Sequence, residues 1–243
     1  MKVLQSGPPH LAIVDLSVSL HTSPILTAVS LAVHKQQIVA IVGPNGAGKT
    51  TLLKTVAGLI PAVGGRICLA GESIRGLDVW EIVRRGLVYV PEGFKVFPQM
   101  SVLENLEVGA YLHRSRLAEQ LETVYRLFPE LRERAKASAG ILSGGQQRMV
   151  TLARGLMSGA DVLLLDDPFL GLSPKLVKRF CAVFRMLRKK GMTLVIAGQH
   201  VRRILNVADL AYLLEDGHVT LSGPGPDVLH NPHLRASLLG AEP

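Results

Sequence analysis

Apolar and polar positions alternate through LAIVDLSVSL (11–20) and VSLAV (29–33), the period-two pattern of half-buried strands, with polar turn residues between them. A third strand, QQIVAIVG (36–43), is apolar throughout its second half. After Gly43 the pattern changes at once. GPNGAGKTTLLKTVAGL (43–59) reads as a glycine-rich loop entering a helix that ends at Gly58 or soon after. Gly64-Gly65 turns the chain into a short strand, RICLAG (66–71). A helical stretch over Asp78–Arg85 precedes LVYVPE (87–92), a strand running into a loop. From about Ser101 to Lys136, Leu, Glu and Arg recur with helical spacing, which predicts an inserted helical subdomain. The connector ASAGILSGG (137–145) leads into a helix predicted over Gln146–Met157. VLLLDD (162–167) and TLVIAG (193–198) are buried strands flanking a helix over 174–191. Phe180, Val183, Phe184 and Leu187 form the i, i+3, i+4, i+7 row of that helix. AYLLEDGHVTLSG (211–223) is a hairpin with Asp-Gly at its turn, and two short helices close the chain. Strands alternating with helices predict an α/β fold with a mostly parallel sheet covered on both faces.

Composition sharpens this outline. Hydrophobic residues make up 48% of the 243 positions but aromatics only 5%, so the core is aliphatic, as buried parallel strands require. Runs such as LAIV (11–14) and VLLL (162–165) stop far short of the roughly 18–20 residues of a membrane span. The start, MKVLQSGPPH, has Pro-Pro where a secretory leader needs an apolar stretch. Cys68 and Cys181 have no metal-ligand spacing and read as reduced thiols. The formal charge of +8 raises nucleic acid, an anionic surface or a phosphorylated ligand as partners. Its distribution argues against nucleic acid. The pairs Arg84–Arg85, Lys189–Lys190 and Arg202–Arg203 are scattered, with no long basic run and no interleaved aromatics. On the helix over 174–191 the cations cluster at the C-terminal end, where the helix dipole favours them.

The chemistry begins at Gly43-Pro44-Asn45-Gly46-Ala47-Gly48-Lys49-Thr50, followed by Thr51, which fits G-x-x-x-x-G-K-[ST] between a strand and a helix. Backbone N–H groups of such a loop wrap a phosphate, and a Cβ at the glycines would block that approach. The helix N-terminus adds its dipole, Lys49 reaches the β/γ-phosphates, and Thr50 offers a hydroxyl to Mg²⁺. VLLLDD (162–167) then places Asp166 at the end of a buried strand to hold Mg²⁺, and Asp167 to orient an attacking water.

Leu142-Ser143-Gly144-Gly145-Gln146, between this loop and the acid-ended strand, resembles the signature of ABC-type ATPases. That resemblance implies a P-loop ATPase fold with a mixed/parallel sheet core, an antiparallel β subdomain and an inserted helical subdomain. One nucleotide-binding domain would span 1–243, its core from 1–92 and 160–243 and its helical part from 93–159. Ser143, Gly144, Gly145 and Gln146 would cradle the γ-phosphate of ATP held by a second ATPase subunit, so that the working unit is a dimer. VYVPEGFKVFPQMSVLENLEVGA (88–110), LLLDDPFLGLSPKLV (163–177), LVIAGQHVRRIL (194–205) and YLLEDGHVTLSG (212–223) are similar to one ATPase subunit type of branched-chain amino-acid importers. Two transmembrane permease subunits, a solute-binding protein and a place at the cytoplasmic face of the inner membrane follow from that likeness, with no nucleic acid. Glu92 stands where most ABC ATPases have Gln, in the loop that contacts Mg²⁺ and the membrane subunit. ATPase subunits of lipid and lipopolysaccharide exporters share the DxPF pattern, which keeps export as an alternative.

Five positions depart from the family pattern. The adenine-stacking aromatic falls at Leu20, with His21 beside it; a missing ring forfeits about 1–3 kcal/mol of stacking. The catalytic Glu is Asp167, shorter by one C–C bond of about 1.5 Å. Leu172-Ser173-Pro174 replaces the usual Leu-Asp-Pro. The γ-phosphate-sensing His falls on Gln199, with His200 next, and Gly198 replaces an acid. Asp167, Gln199 and His200 are therefore the expected catalytic group, and Leu20, Asp167 and Gly198 raise the alternative of a weakly hydrolysing regulatory partner.

Overall fold

A computed structural model of the chain describes residues 7–239; the leaderless reading of the first residues concerns positions that mostly lie outside that range. Among the described residues, ten strands form two sheets. The smaller is antiparallel, in the order β2-β1-β4-β5, from β1 (Leu11–Leu20), β2 (Ser23–Val33), β4 (Gly64–Leu69) and β5 (Glu72–Ser73). β2 begins six residues earlier than its alternating pattern suggests, because Leu20 pairs with Ser23 across a two-residue turn. The larger sheet is six-stranded, in the order β10-β9-β3-β8-β7-β6. Its members are β3 (Ile38–Val42), β6 (Leu87–Val90), β7 (Val162–Asp166), β8 (Thr193–Ala197), β9 (Leu210–Glu215) and β10 (His218–Gly223). The neighbours from β9 to β6 pair in parallel, and only β10 runs antiparallel, to β9.

Period-two alternation divides the core. Val39 and Ile41, Val162 and Leu164, and Tyr212 and Leu214 face a cluster shared with the antiparallel sheet and the helix α1 (Lys49–Val56). Ile38, Ala40 and Val42, Leu163 and Leu165, and Leu194 and Ile196 face the opposite cluster. There they meet α3 (Val102–Gly109), α4 (Leu117–Leu127), α5 (Pro129–Glu133), α6 (Gly144–Leu156) and α7 (Pro174–Lys189). The α7 row Phe180, Val183, Phe184 and Leu187 is buried there. α2 (Val79–Arg84) leads into β6, α8 (Val201–Leu205) follows β8, and α9 (Gly225–His230) follows β10. Cys181 is buried and Cys68 half-buried, both free. No helix among the described residues is long and apolar enough to cross a membrane.

Three helix boundaries differ from the sequence reading. α1 stops at Val56 because Gly58 turns left-handed at φ 76°. The helical stretch from Ser101 to Lys136 is broken by a 3₁₀ segment over 111–116 and by Pro129, which opens α5. α6 starts at Gly144, two residues before the expected Gln146, because Ser143 caps it.

Candidate functional site

β3, β7 and β8 are adjacent parallel strands, so the loops leaving their C-terminal ends converge along one edge of the sheet. The phosphate loop leaves β3, the two aspartates end β7, and Gly198-Gln199-His200 follow β8. Together with Glu92 after β6, all of these but His200 line a cleft of ≈ 290 Å³. Asn45, Gly46, Gly48, Lys49, Thr50 and Thr51 line it from the phosphate loop and α1, and Asp166, Asp167, Gly198 and Gln199 from the ends of β7 and β8.

Two glycines of the loop are fixed by close approach. A Cβ on Gly43 would lie 2.0 Å from the Leu214 carbonyl oxygen, and one on Gly48, at φ 100°, would lie 2.6 Å from Leu26 Cδ2. Ala47 is buried against the α1 cluster. Lys49 Nζ donates to the carbonyl oxygens of Gly43 and Pro44, at 2.8 Å each. An ammonium has three N–H donors, so one remains for an anion in the cleft. Burial pushes the Lys49 ammonium down from its usual range, while Asp167 and Asp166 pull it back.

Strand parity puts Asp166 on the α1 face with Leu164 and Val162. There the Thr50 hydroxyl donates to Asp166 Oδ1 at 3.1 Å and the Tyr89 hydroxyl donates to Oδ2 at 2.8 Å. Burial, followed by the hydrogen bond to Asp166, raises Tyr89 far above the ordinary phenol range, so it stays a donor. No cluster of three or more His, Cys, Asp or Glu side chains among the described residues is arranged as a metal cage. A hydroxyl, a carboxylate and the nearby Glu92 instead suit a hard divalent cation that takes its remaining oxygens from phosphate and water.

Asp167 is 4% exposed and adopts a left-handed backbone at φ 38°. Its Oδ2 accepts the Gln199 N–H at 3.3 Å, and its Oδ1 has no hydrogen-bond partner. Burial raises its carboxyl above the usual range, against the lowering effects of the Gln199 N–H and His200. His200 lies beside the cleft rather than in its lining, with Nδ1 3.9 Å from Asp167 Oδ1 and its ring edge-on to Phe169. Gly198 has a packing reason: a Cβ there would lie 3.1 Å from Asp167 Oδ1 and 2.9 Å from Ile204 Cδ1.

Ser143, Gly144, Gly145 and Gln146 do not line this cleft. They form the first turn of α6, where Ser143 Oγ accepts the Gln146 N–H at 3.4 Å and Gln146 Oε1 accepts the Ser143 N–H at 3.1 Å. This reciprocal cap leaves the exposed Ser143 at a helix N-terminus.

Three residues escape sequence reading. Ile25, in β2, lines the cleft beside Gly48, whereas Leu20 stands 42% exposed at the end of β1. Tyr89 reaches Asp166 across 77 positions. Arg148, in α6, donates Nη1 to the carbonyl oxygens of Gly93 (2.6 Å) and Pro91 (3.3 Å) and Nη2 to that of Asp167. Parity along β6 and β7 is the signal that could have paired Tyr89 with Asp166; none marks Ile25.

A family model described as ABC transporter matches residues 26–170. The high-affinity branched-chain amino acid transport ATP-binding protein BraG of Pseudomonas aeruginosa is 40% identical over 213 residues, 87% of this chain and 91% of its own. The lipopolysaccharide export system ATP-binding protein LptB of Escherichia coli K12 is 34% identical over 221 residues, 90% of this chain and 92% of its own. Among solved structures, an ATP-binding cassette of an ABC transporter in its ADP conformation superposes with a TM-score of 0.85. It is 26% identical and covers 96% of this chain and 100% of its own.

Proposed function

The chain belongs to the ABC transporter family as an ATPase subunit, and we propose that its own cleft binds Mg·ATP while its signature turn completes a second subunit's site. The observation that carries this reading is the convergence of Lys49, Thr50, Asp166 and Asp167 on one cleft that lacks Ser143–Gln146. In that reading the loop amides and the α1 dipole hold the phosphates, and Lys49 turns its remaining N–H to them. Thr50 and Asp166 would hold Mg²⁺, with Tyr89 fixing Asp166 and Glu92 lining the same cleft. The metal, when bound, supplies charge neutralisation at the phosphate oxygens. Asp167 orients the attacking water, Gln199 hydrogen-bonds the γ-phosphate, and His200 supports Asp167 from behind. Residues 93–159 act as the helical subdomain and the remainder as the core.

Coupling to two permease subunits at the cytoplasmic face of the membrane, and import of branched-chain or related amino acids, is the reading that the 40% identical relative supports. Export of a lipid-type cargo is the alternative that the 34% identical relative keeps open. Co-purification of the native complex and identification of its membrane subunits decides the cargo. ATP turnover of that complex tests the chemistry. Asp167→Asn is expected to slow turnover by about 10²-fold or more, in the range set by loss of a positioned base. Turnover equal to wild type, with transport intact, would mean that this site is the weakly hydrolysing partner of a heterodimer. The burial of Asp167 and its acceptance of the Gln199 N–H favour that second reading.

A further inference from the structure

Two helices hold the whole of the chain's formal charge of +8. α7 and α8 carry eight Lys and Arg and no Asp or Glu, which leaves 19 cations against 19 acids everywhere else. The two helices are neighbours. Arg185 Nη2, on α7, donates to the carbonyl of Asn206, which ends α8, at 3.3 Å. Burial raises the thiol of Cys181 on α7, and the charges of Arg185 and of Arg203 on α8 both pull it down. The basic pairs Lys189–Lys190 and Arg202–Arg203, apart in the sequence, thus fall on adjacent elements.

On α7 this charge works against the helix that bears it. Arg179 pairs with Glu130 and Arg188 with Asp209. Lys175, Lys178, Arg185 and Lys189 stand exposed, with no ion pair among the described residues. With the exposed Ala182 they recur at alternating steps of three and four residues, a straight stripe about 21 Å long. Like charges at such spacings repel one another. The helix dipole favours Arg188 and Lys189 in the last turn but opposes Lys175 and Lys178 near the N-terminus. An unpaired stripe that strains its own helix is accounted for by an anionic partner laid along it.

We propose that the outward face of α7 is a docking surface for an acidic helical segment of another protein. The stripe has the seam spacing of a coiled coil, filled with cations in place of leucines, so a helix bearing glutamates at the same steps matches it charge for charge. Ala182 and the 45% exposed Met186 give that helix a small apolar footing between the charges. A lipid surface fits less well, because the apolar row Phe180, Val183, Phe184 and Leu187 is spent in the core and leaves α7 nothing to insert. Single-stranded nucleic acid would find no exposed aromatic on either helix to stack upon.

Fluorescence anisotropy of labelled peptides added to the full-length chain tests this. One peptide is an alanine-rich helix of about 18 residues with glutamates at alternating steps of three and four; the other has the same composition, scrambled. Wild type is expected to bind the first about tenfold more tightly than the second. Lys175→Gln, Lys178→Gln, Arg185→Gln and Lys189→Gln together should weaken that binding about tenfold, and Lys178→Gln with Lys189→Gln alone about threefold. A control of equal net charge, Arg66→Gln, Arg84→Gln, Arg126→Gln and Lys136→Gln, should bind as wild type does, since all four are exposed on other elements. Equal weakening in the stripe variant and the control overturns the site, because bulk charge then explains the binding. Equal affinity for the two peptides overturns the helical partner. Tighter binding of phosphatidylserine vesicles or of single-stranded RNA than of the first peptide overturns the polypeptide.

Discussion

At position 198 the missing side chain and the short acid at 167 fit one another. A Cβ on Gly198 would press on Asp167 Oδ1 and on Ile204, both within 3.1 Å. Gly198→Asp is therefore expected to destabilise the fold by about 1–3 kcal/mol through overpacking. It also brings a second carboxylate against one already lifted by burial. A thermal melt checks the first effect, and single-turnover phosphate release, expected to slow, checks the second. Tyr89 gives a cleaner single-atom test. Tyr89→Phe removes the donor to Asp166 Oδ2, a hydrogen bond of about 0.5–1.5 kcal/mol, and frees the carboxylate to rotate. The Mg²⁺ concentration that half-saturates ATP-dependent quenching of a fluorescent nucleotide should rise about two- to tenfold, while metal-free nucleotide binding stays unchanged. Unaltered metal dependence would show that Thr50 alone orients Asp166.

On the scale of elements, α6 is placed by its cap at one end and by a close crossing at the other. Ser143→Ala removes the acceptor for the Gln146 N–H, at a cost of about 1 kcal/mol to α6 by denaturant titration. In the assembled transporter the same change should also slow hydrolysis at the partner's site, an effect that the cap energy alone does not produce. α3 approaches α6 so closely that a Cβ on Gly109 would lie 2.3 Å from the Arg154 carbonyl oxygen. Backbone cannot yield as a side-chain tip does, so Gly109→Ala should cost about 1–3 kcal/mol in the same titration. These elements show what sequence discloses. The phosphate loop, the acid-ended strand and the signature turn were legible because each is a contiguous run whose chemistry is local. The start of α6 was misplaced by two residues because glycines resist helix in isolation, and only the Ser143–Gln146 cap overrides them. Tyr89, Ile25 and Arg148 stayed hidden for another reason. Their roles are set by partners far along the chain, 57 positions away for Arg148 and Pro91, and by which face of a strand or helix the fold turns inward.

For the whole molecule, the signature turn does not line the cleft, and in the proposed reading one copy therefore holds two halves of different sites. ATP turnover per chain should consequently rise with chain concentration, and mixing with a Ser143→Arg variant should depress it. Turnover independent of concentration, with no dimer by light scattering, would make the cleft self-sufficient. The sheet order carries a consequence for biosynthesis. β3, which launches the phosphate loop at residue 43, lies between β8 and β9, strands that end at residues 197 and 215. A ribosome therefore releases the nucleotide loop long before either neighbour of its strand exists. The emerging β3 is a five-residue run of wholly apolar side chains with both edges unpaired, a segment exposed to wrong pairing until its neighbours arrive. A phosphate loop held by β3 paired on both sides therefore forms only after the chain has been made beyond residue 215.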